Sequence, residues 1–288
     1  MTIGTLIAAG RLDDRLLGAA IDRVAGARLG RWVEQGSAAD LQTYASPAAI
    51  SAAFEGWEGV DFIPLRLGAR EKKLLVADMD STMIGQECID ELADYAGIKP
   101  QIAALTERAM RGELDFTAAL RERVALLAGL DESAIDRCLA ERIRPNPGAA
   151  TLVRTMRARG AMTLLISGGF TAFAKPVAAM LGFERVEANL LGARGGHLTG
   201  SVSGPIVDAA RKAKALVEAR DALGLRPTDT IAVGDGANDQ AMIEAAGLGI
   251  AYRAKPALAA VADARLDHHG LDALLWAQGI PRAEWAIA

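Results

Sequence analysis

The sequence predicts an α/β protein built on a doubly wound parallel sheet, with an inserted helical bundle and a small N-terminal α+β domain. Three observations lead there. From residue 74 onward short apolar runs alternate with segments of helical period, as in a parallel sheet whose crossovers are helices. A block of about 60 residues after the first of these runs is helical throughout. The first 70 residues mix strand-like and helix-like pieces and carry no recognisable chemistry.

In chain order, TIGTLIAA and VDFIPLRL are strand-like, with the helix-like DDRLLGAAIDRVAG between them. REKK, 70–73, reads as a charged hinge, which places a domain boundary at 71/72. LLVAD (74–78) is the first strand of the main domain, 72–288. ECIDELADYAG, KPQIAALTERAMRG, FTAALRERVALLAG and ESAIDRCLAER then form the inserted cap, at about 84–146. Gly97, Gly112 and Gly129 fall where helix C-caps belong, and PNPG (145–148) closes the block. A helix with Pro147 at its start and Gly160 at its end leads to the strand AMTLLIS. After it come a helix (GFTAFAKPVAAMLG), a strand (RVEANL), a glycine-bearing hairpin (ARGGHLTGSVSG) and a long helix (DAARKAKALVEARDALG). The strand DTIAVGDG, the helix NDQAMIEAAG and the short strand LGIAYRA complete the pattern.

The 288 residues are 51% hydrophobic and 24% charged, with a net charge of −4. That composition suits a globular chain and argues against a nucleic-acid or membrane-surface binder. No apolar run approaches the roughly 18 residues of a membrane span, and the N-terminus does not read as a signal peptide. A cytoplasmic location and two reduced core thiols, Cys88 and Cys138, are therefore expected.

The chemistry lies at strand ends. The first ends in Asp78-Met79-Asp80-Ser81-Thr82, the next in Ser167-Gly168-Gly169, and a later one in Gly234-Asp235-Gly236-Ala237-Asn238-Asp239. Lys212 starts the helix between the last two. Parallel, adjacent strands bring these ends to one edge of the sheet. Three converging carboxylates need a cation or strongly raised pKa values, and an all-oxygen set without histidine or cysteine suits Mg²⁺. Hydroxyl, glycine amides and one ammonium are what a phosphoryl group requires.

The ordered set D-x-D-x-T, S-G-G, lysine, G-D-G-x-N-D resembles the haloacid dehalogenase (HAD) superfamily. DMDSTMIGQECIDELA, RGELDFTAALRERVALL, ISGGF and IAVGDGANDQAMIEAAGLGIAYRAKP resemble, within it, the phosphoserine phosphatase family. The resemblance covers roughly residues 72–275 and does not extend convincingly to 1–70. It implies a HAD-like Rossmannoid core and hydrolysis of phosphoserine, the last step of serine biosynthesis. Asp78 is implied as nucleophile and Asp80 as general acid and base. Mg²⁺ is implied on the Asp78 carboxylate, the Asp80 carbonyl and the Asp235 carboxylate. Ser167 and Gly168 would hold phosphate oxygens, with Lys212 neutralising charge beside Asp78. Asn238 would assist with substrate, and Asp239 would support Lys212 or the metal shell. The family spacing singles out Lys212, since Arg211 and Lys214 share its helix. Arg123 would grip the substrate carboxylate and Glu87 face its ammonium, with Phe116 and Met110 as an apolar wall.

Two other readings are carried: a relative that transfers phosphoryl to another small alcohol or prefers another phosphomonoester, and a non-catalytic phospholigand sensor. The Asp78/Asp80 pair argues against the sensor. His197, His268 and His269 have no metal-site spacing. Lys255-Pro256 reads as closing the last strand, and Trp32, Trp57, Trp276 and Trp285 as packing. The N-terminal segment reads as a packing or dimerisation element, or as a degenerate amino-acid-binding fold. A homo-oligomer is left open.

Overall fold

The computed structural model describes residues 2–65, 70–110 and 115–287. Two sheets organise the chain. The first is antiparallel and uses β1 (Thr2–Leu12), β2 (Arg28–Glu34), β3 (Gly36–Thr43) and β4 (Asp61–Leu65), with α1 (Asp14–Arg23) and α2 (Pro47–Phe54) in the connections. Its order is β2-β3-β1-β4, the βαββαβ winding of a split-βαβ sandwich. The two helices begin at side-chain caps: Asp13 accepts from the Leu16 N–H and Ser46 from the Ala49 N–H. The β2–β3 hairpin and α2 are additions to the elements read from the sequence.

The second sheet starts at β5 (Leu74–Ala77). Four helices follow: α3 (Cys88–Tyr95), α4 (Lys99–Met110), α5 (Phe116–Ala125) and α6 (Ser133–Glu141). Gly97 and Gly129 take the left-handed conformation of helix ends, whereas Gly112 lies outside the described residues. Next come α7 (Ala149–Ala158), β6 (Met162–Phe170), α8 (Thr171–Leu181), and the hairpin of β7 (Arg185–Arg194) and β8 (His197–Ser203). The chain continues through α9 (Ala209–Ala222), β9 (Thr230–Gly234), α10 (Gln240–Ala245), β10 (Leu248–Tyr252), α11 (Pro256–Ala259), β11 (Ala264–Leu266) and α12 (Ala273–Ala277). The sheet order is β11-β10-β9-β5-β6-β7-β8, parallel except for β8.

β5 is central and buried on both faces, which is why it reads as an unbroken apolar run. Leu75 and Ala77 face one core with helices α7, α8 and α12, while Leu74 and Val76 face the other with α9 and α10. From β5 the chain winds first to β6 and β7 on one side, then back to β9 and β10 on the other. This reversal opens a crevice at the C-terminal ends of β5 and β9.

The N-terminal sheet packs one face on its own helices through Leu6, Ala39, Leu41 and Phe62, and the other on the larger body through Ile7, Ala38 and Ile63. The junction is polar at its edges. Asp61 accepts from the N–H groups of Asp267, His268 and His269 and lies 2.7 Å from His269 Nδ1. The Ala9 N–H donates to His269 Nε2 at 3.0 Å, which leaves the ring proton on Nδ1. The segment 70–73, read as a hinge, is tied down instead. Arg70 binds Asp40 and the Ala277 carbonyl, Glu71 pairs with Arg159, and the Lys72 N–H meets Gln278. Cys88 and Cys138 are free and buried. Among the described residues no helix is long and apolar enough to cross a membrane.

Candidate active site

Asp78 follows β5 and its N–H continues the ladder to the Val233 carbonyl at 3.0 Å, so the last bond of the sheet sets its position. Its Oδ1 accepts from the Met79 N–H at 2.7 Å. Its Oδ2 lies 2.8 Å from Lys212 Nζ and 3.5 Å from Asn238 Nδ2. Lys212 is fully buried and also reaches Asp239 Oδ1 at 2.7 Å. The other oxygen of Asp239 accepts the N–H groups of Asp235 and Gly236, shaping the loop after β9. A Cβ on Gly234 would stand 2.5 Å from the Asp239 carboxyl carbon, so only glycine fits there. The neighbours of Lys212 point elsewhere: Arg211 pairs with Glu187 and Glu218, and the Lys214 side chain is 71% exposed.

Oxygens of Asp78, Asp235 and Asp239 all lie within 4.8 Å of one another. The sequence reading set Asp78, the Asp80 carbonyl and Asp235 at a metal, with Asp239 supporting Lys212 or the metal shell; the structure brings the Asp239 carboxylate to those of Asp78 and Asp235 and also bonds it to Lys212. Thr82 completes the cluster by donating to Asp235 Oδ1 at 3.0 Å. Burial, then Asp239, raises the Asp78 carboxyl well above its ordinary value against the pull of Lys212. Burial and Asp239 also push Asp235 up to about 6. Burial, then Glu87, brings Asp80 up to about 7, and its Oδ1 is buried without a hydrogen-bond partner. Burial alone would lower Lys212, but Asp78 and Asp239 outweigh it and hold the ammonium charged. Lys212 thus pairs with two of the four carboxylates, Asp78 and Asp239. This all-oxygen, electron-rich cluster fits a hard divalent cation.

The chain between Asp78 and α3 is a wide turn, Met79–Met83, closed by the Ile84 N–H on the Met79 carbonyl at 3.0 Å. Asn146 braces it by donating to the carbonyls of Thr82 and Ile84. On the facing strand Ser167 is buried, and its hydroxyl accepts from the Gly169 N–H at 2.9 Å. Asn189 holds this loop from behind. Its amide donates to the Gly168 carbonyl at 2.8 Å and its oxygen accepts from the Val207 N–H at 2.8 Å. A Cβ on Gly169 would sit 3.1 Å from Asp80 Oδ2, and one on Gly168 3.0 Å from the Phe116 ring. The glycines thus admit both the acid and the inserted helix.

These groups border a cavity of about 190 Å³. Asp78, Asp80, Ser167, Gly168, Asp235 and Asn238 lie on its sheet side, and Glu87, Phe116 and Arg123 on its helical side. The Arg123 Nε donates to the Ala119 carbonyl at 3.3 Å, and no carboxylate ion-pairs with its guanidinium among the described residues. Met110 ends α4, and its side chain lies outside the described part of the structure. Lys255 follows β10 as the sequence reading had it; its N–H meets the Asp235 carbonyl at 2.9 Å, and it also lines the cavity. Thr82, Asn146 and Asn189 were missed as parts of the site, and Lys255 was read only as closing its strand. Thr82 stands in the D-x-D-x-T motif and Asn146 in PNPG, but Asn189 in RVEANL carries no signal at all.

The haloacid dehalogenase-like hydrolase family model matches residues 75–244. A phosphoserine phosphatase of Mycobacterium tuberculosis is 50% identical over 76% of this chain and 53% of its own, so the chain spans about half of that relative's length. A phosphoserine phosphatase of Albidiferax ferrireducens is 47% identical over 74% of this chain and 91% of its own. Among solved structures, a HAD family hydrolase of Salmonella enterica serovar Typhi superimposes with a TM-score of 0.86 at 29% identity, covering 96% of this chain and 98% of that one.

Proposed function

The chain belongs to the haloacid dehalogenase-like hydrolase family, and on that premise we propose that it is a phosphoserine phosphatase releasing L-serine and phosphate from O-phospho-L-serine. The observation that carries this reading is the two-ended cavity. An end lined by Asp78, Asp80 and Ser167, with Lys212 paired to Asp78, suits a phosphoryl group, and an Arg123, Glu87 end suits a carboxylate and an ammonium. The relatives named above supply the substrate class.

In this reading an Asp78 carboxylate oxygen attacks phosphorus, the bond to the serine oxygen breaks, and Asp80 gives that oxygen its proton. Water then attacks the aspartyl-phosphate, Asp80 takes the water's proton, and the P–O bond to Asp78 breaks to leave inorganic phosphate. An acid pushed up to about 7 can give and regain a proton near neutrality. Ser167, the Gly168 amide and Lys212 hold the phosphoryl oxygens, Asn238 steadies the substrate, and Asp239 holds Lys212. Arg123 and Glu87 read the amino-acid end, with Met110 and Phe116 excluding water. When bound by Asp78, the Asp80 carbonyl and Asp235, Mg²⁺ supplies positive charge against the phosphoryl oxygens. We divide the chain into an N-terminal unit (1–71) and a phosphatase unit (72–288), with the cap at about 84–146.

The test is phosphate release from O-phospho-L-serine with Mg²⁺ and then with EDTA. Release that EDTA abolishes is expected; no release with any divalent metal overturns the reading.

A further inference from the structure

Ser81 follows Asp80 in the wide turn and has φ of 53°, one of two non-glycine residues with positive φ among those described. That conformation is unfavourable for an L side chain and persists only where its surroundings impose it. Here they do. The Ser81 N–H is drawn to the Gln86 carbonyl at 3.2 Å, and the Gln86 side chain is fixed by the Arg144 N–H at 2.9 Å. The resulting backbone turns the Ser81 hydroxyl back onto Glu87 Oε1, at 2.6 Å. Glu87 precedes the first turn of α3, where a short polar side chain would ordinarily cap the helix, yet its carboxylate makes no bond to that helix. It is turned toward Ser81 at the cavity wall.

We infer that Ser81 is a positioning residue for substrate selection: its hydroxyl holds one oxygen of Glu87 and leaves the other aimed at a primary ammonium in the cavity. The strained backbone is what brings the hydroxyl to Glu87 rather than to solvent. A charge-assisted hydrogen bond fixes a flexible glutamate before substrate arrives, so its orientation is not lost from the binding free energy. The inference rests on the proposed reading of Glu87 as the ammonium acceptor. It concerns binding and not the chemical step.

The experiment is a double-mutant cycle of Ser81→Ala and Glu87→Ala on two substrates. One is O-phospho-L-serine and the other 3-(phosphonooxy)propanoate, which keeps the phosphate and carboxylate but lacks the ammonium. Loss of one hydrogen bond to a charged group predicts a rise in KM for phosphoserine of about tenfold in Ser81→Ala. kcat should stay within about twofold, since uniform binding is what is lost. KM for the propanoate is expected to be unchanged, and Ser81→Ala should add nothing in the Glu87→Ala background. Ser81→Gly relaxes the backbone but also lacks the hydroxyl, so it should show the same KM rise. Equal effects on both substrates, a full Ser81→Ala effect without Glu87, or wild-type KM in Ser81→Gly would each overturn the inference. If Glu87→Ala raises KM for phosphoserine and Ser81→Ala does not, the inference alone falls. If Glu87→Ala leaves that KM unchanged, the ammonium reading falls and takes the inference with it.

Discussion

Two groups of buried aspartates sit in this molecule with opposite electrostatic balance. At the junction of the two sheets, Asp61 accepts three backbone N–H bonds and one from His269, and Asp40 accepts from Thr5, Arg31 and Arg70. Burial alone would raise Asp61, but His269 and the backbone donors outweigh it and hold the carboxyl below its ordinary value. At the crevice, Asp78, Asp80 and Asp235 are all raised, and one oxygen of Asp80 has no partner. The first group is satisfied and acts as a clasp. The second is left short of positive charge, as expected of a site awaiting a cation and a reacting ligand.

The sharpest way to break this contrast is to exchange the outcomes. Asp78→Asn should lower phosphate release by on the order of 10⁴-fold while the thermal unfolding midpoint stays close to wild type. Lys212→Met should lower kcat by on the order of 10³-fold. It should also destabilise the fold by about 3–5 kcal/mol in thermal unfolding, because Asp78 and Asp239 lose their buried counter-charge. Asp61→Ala should do the reverse of Asp78→Asn: a loss of about 2–4 kcal/mol of stability from stranded N–H groups, with kcat kept below the new melting range. The Asp61 contribution has a pH signature. A carboxyl held below 3.8 stabilises the fold fully above that value and loses its contribution as pH falls through the lower folded value. Above pH 3.8 Asp61→Ala should therefore be less stable than wild type, and its stability should fall less steeply than that of wild type as the pH drops through the lower folded value. The smallest effect is expected of Lys255→Gln, a rise in KM of about threefold that disappears in high salt, since its charge is exposed and screened. If Asp61→Ala and Asp78→Asn behave alike, the two groups are not different in kind.

The same contrast decided what was legible in the sequence. β5, β6 and β9 are buried on both faces, so they stand out as apolar runs, and the polar residues at their ends follow from parallel pairing. Asp78, Asp80, Ser167, Asp235, Asn238 and Asp239 were found that way. β2 was not, because it is largely exposed and carries arginines like any surface segment. Asn189 bonds only to backbone and leaves no spacing to read. Lys255 follows its strand as read, but its position on the cavity depends on the loop after β9. The Asp61–His269 bond spans 208 residues, and neither residue lies in a motif.

That span sets an order of events during synthesis. The face carrying Ile7, Ala38 and Ile63 is made early, and its clasp is not complete until His269 has been added. At 5–20 residues per second the wait is roughly 10–40 s, far longer than collapse of a small sheet requires. Throughout that interval the N-terminal sheet exists without the bond that fastens it to the end of the chain.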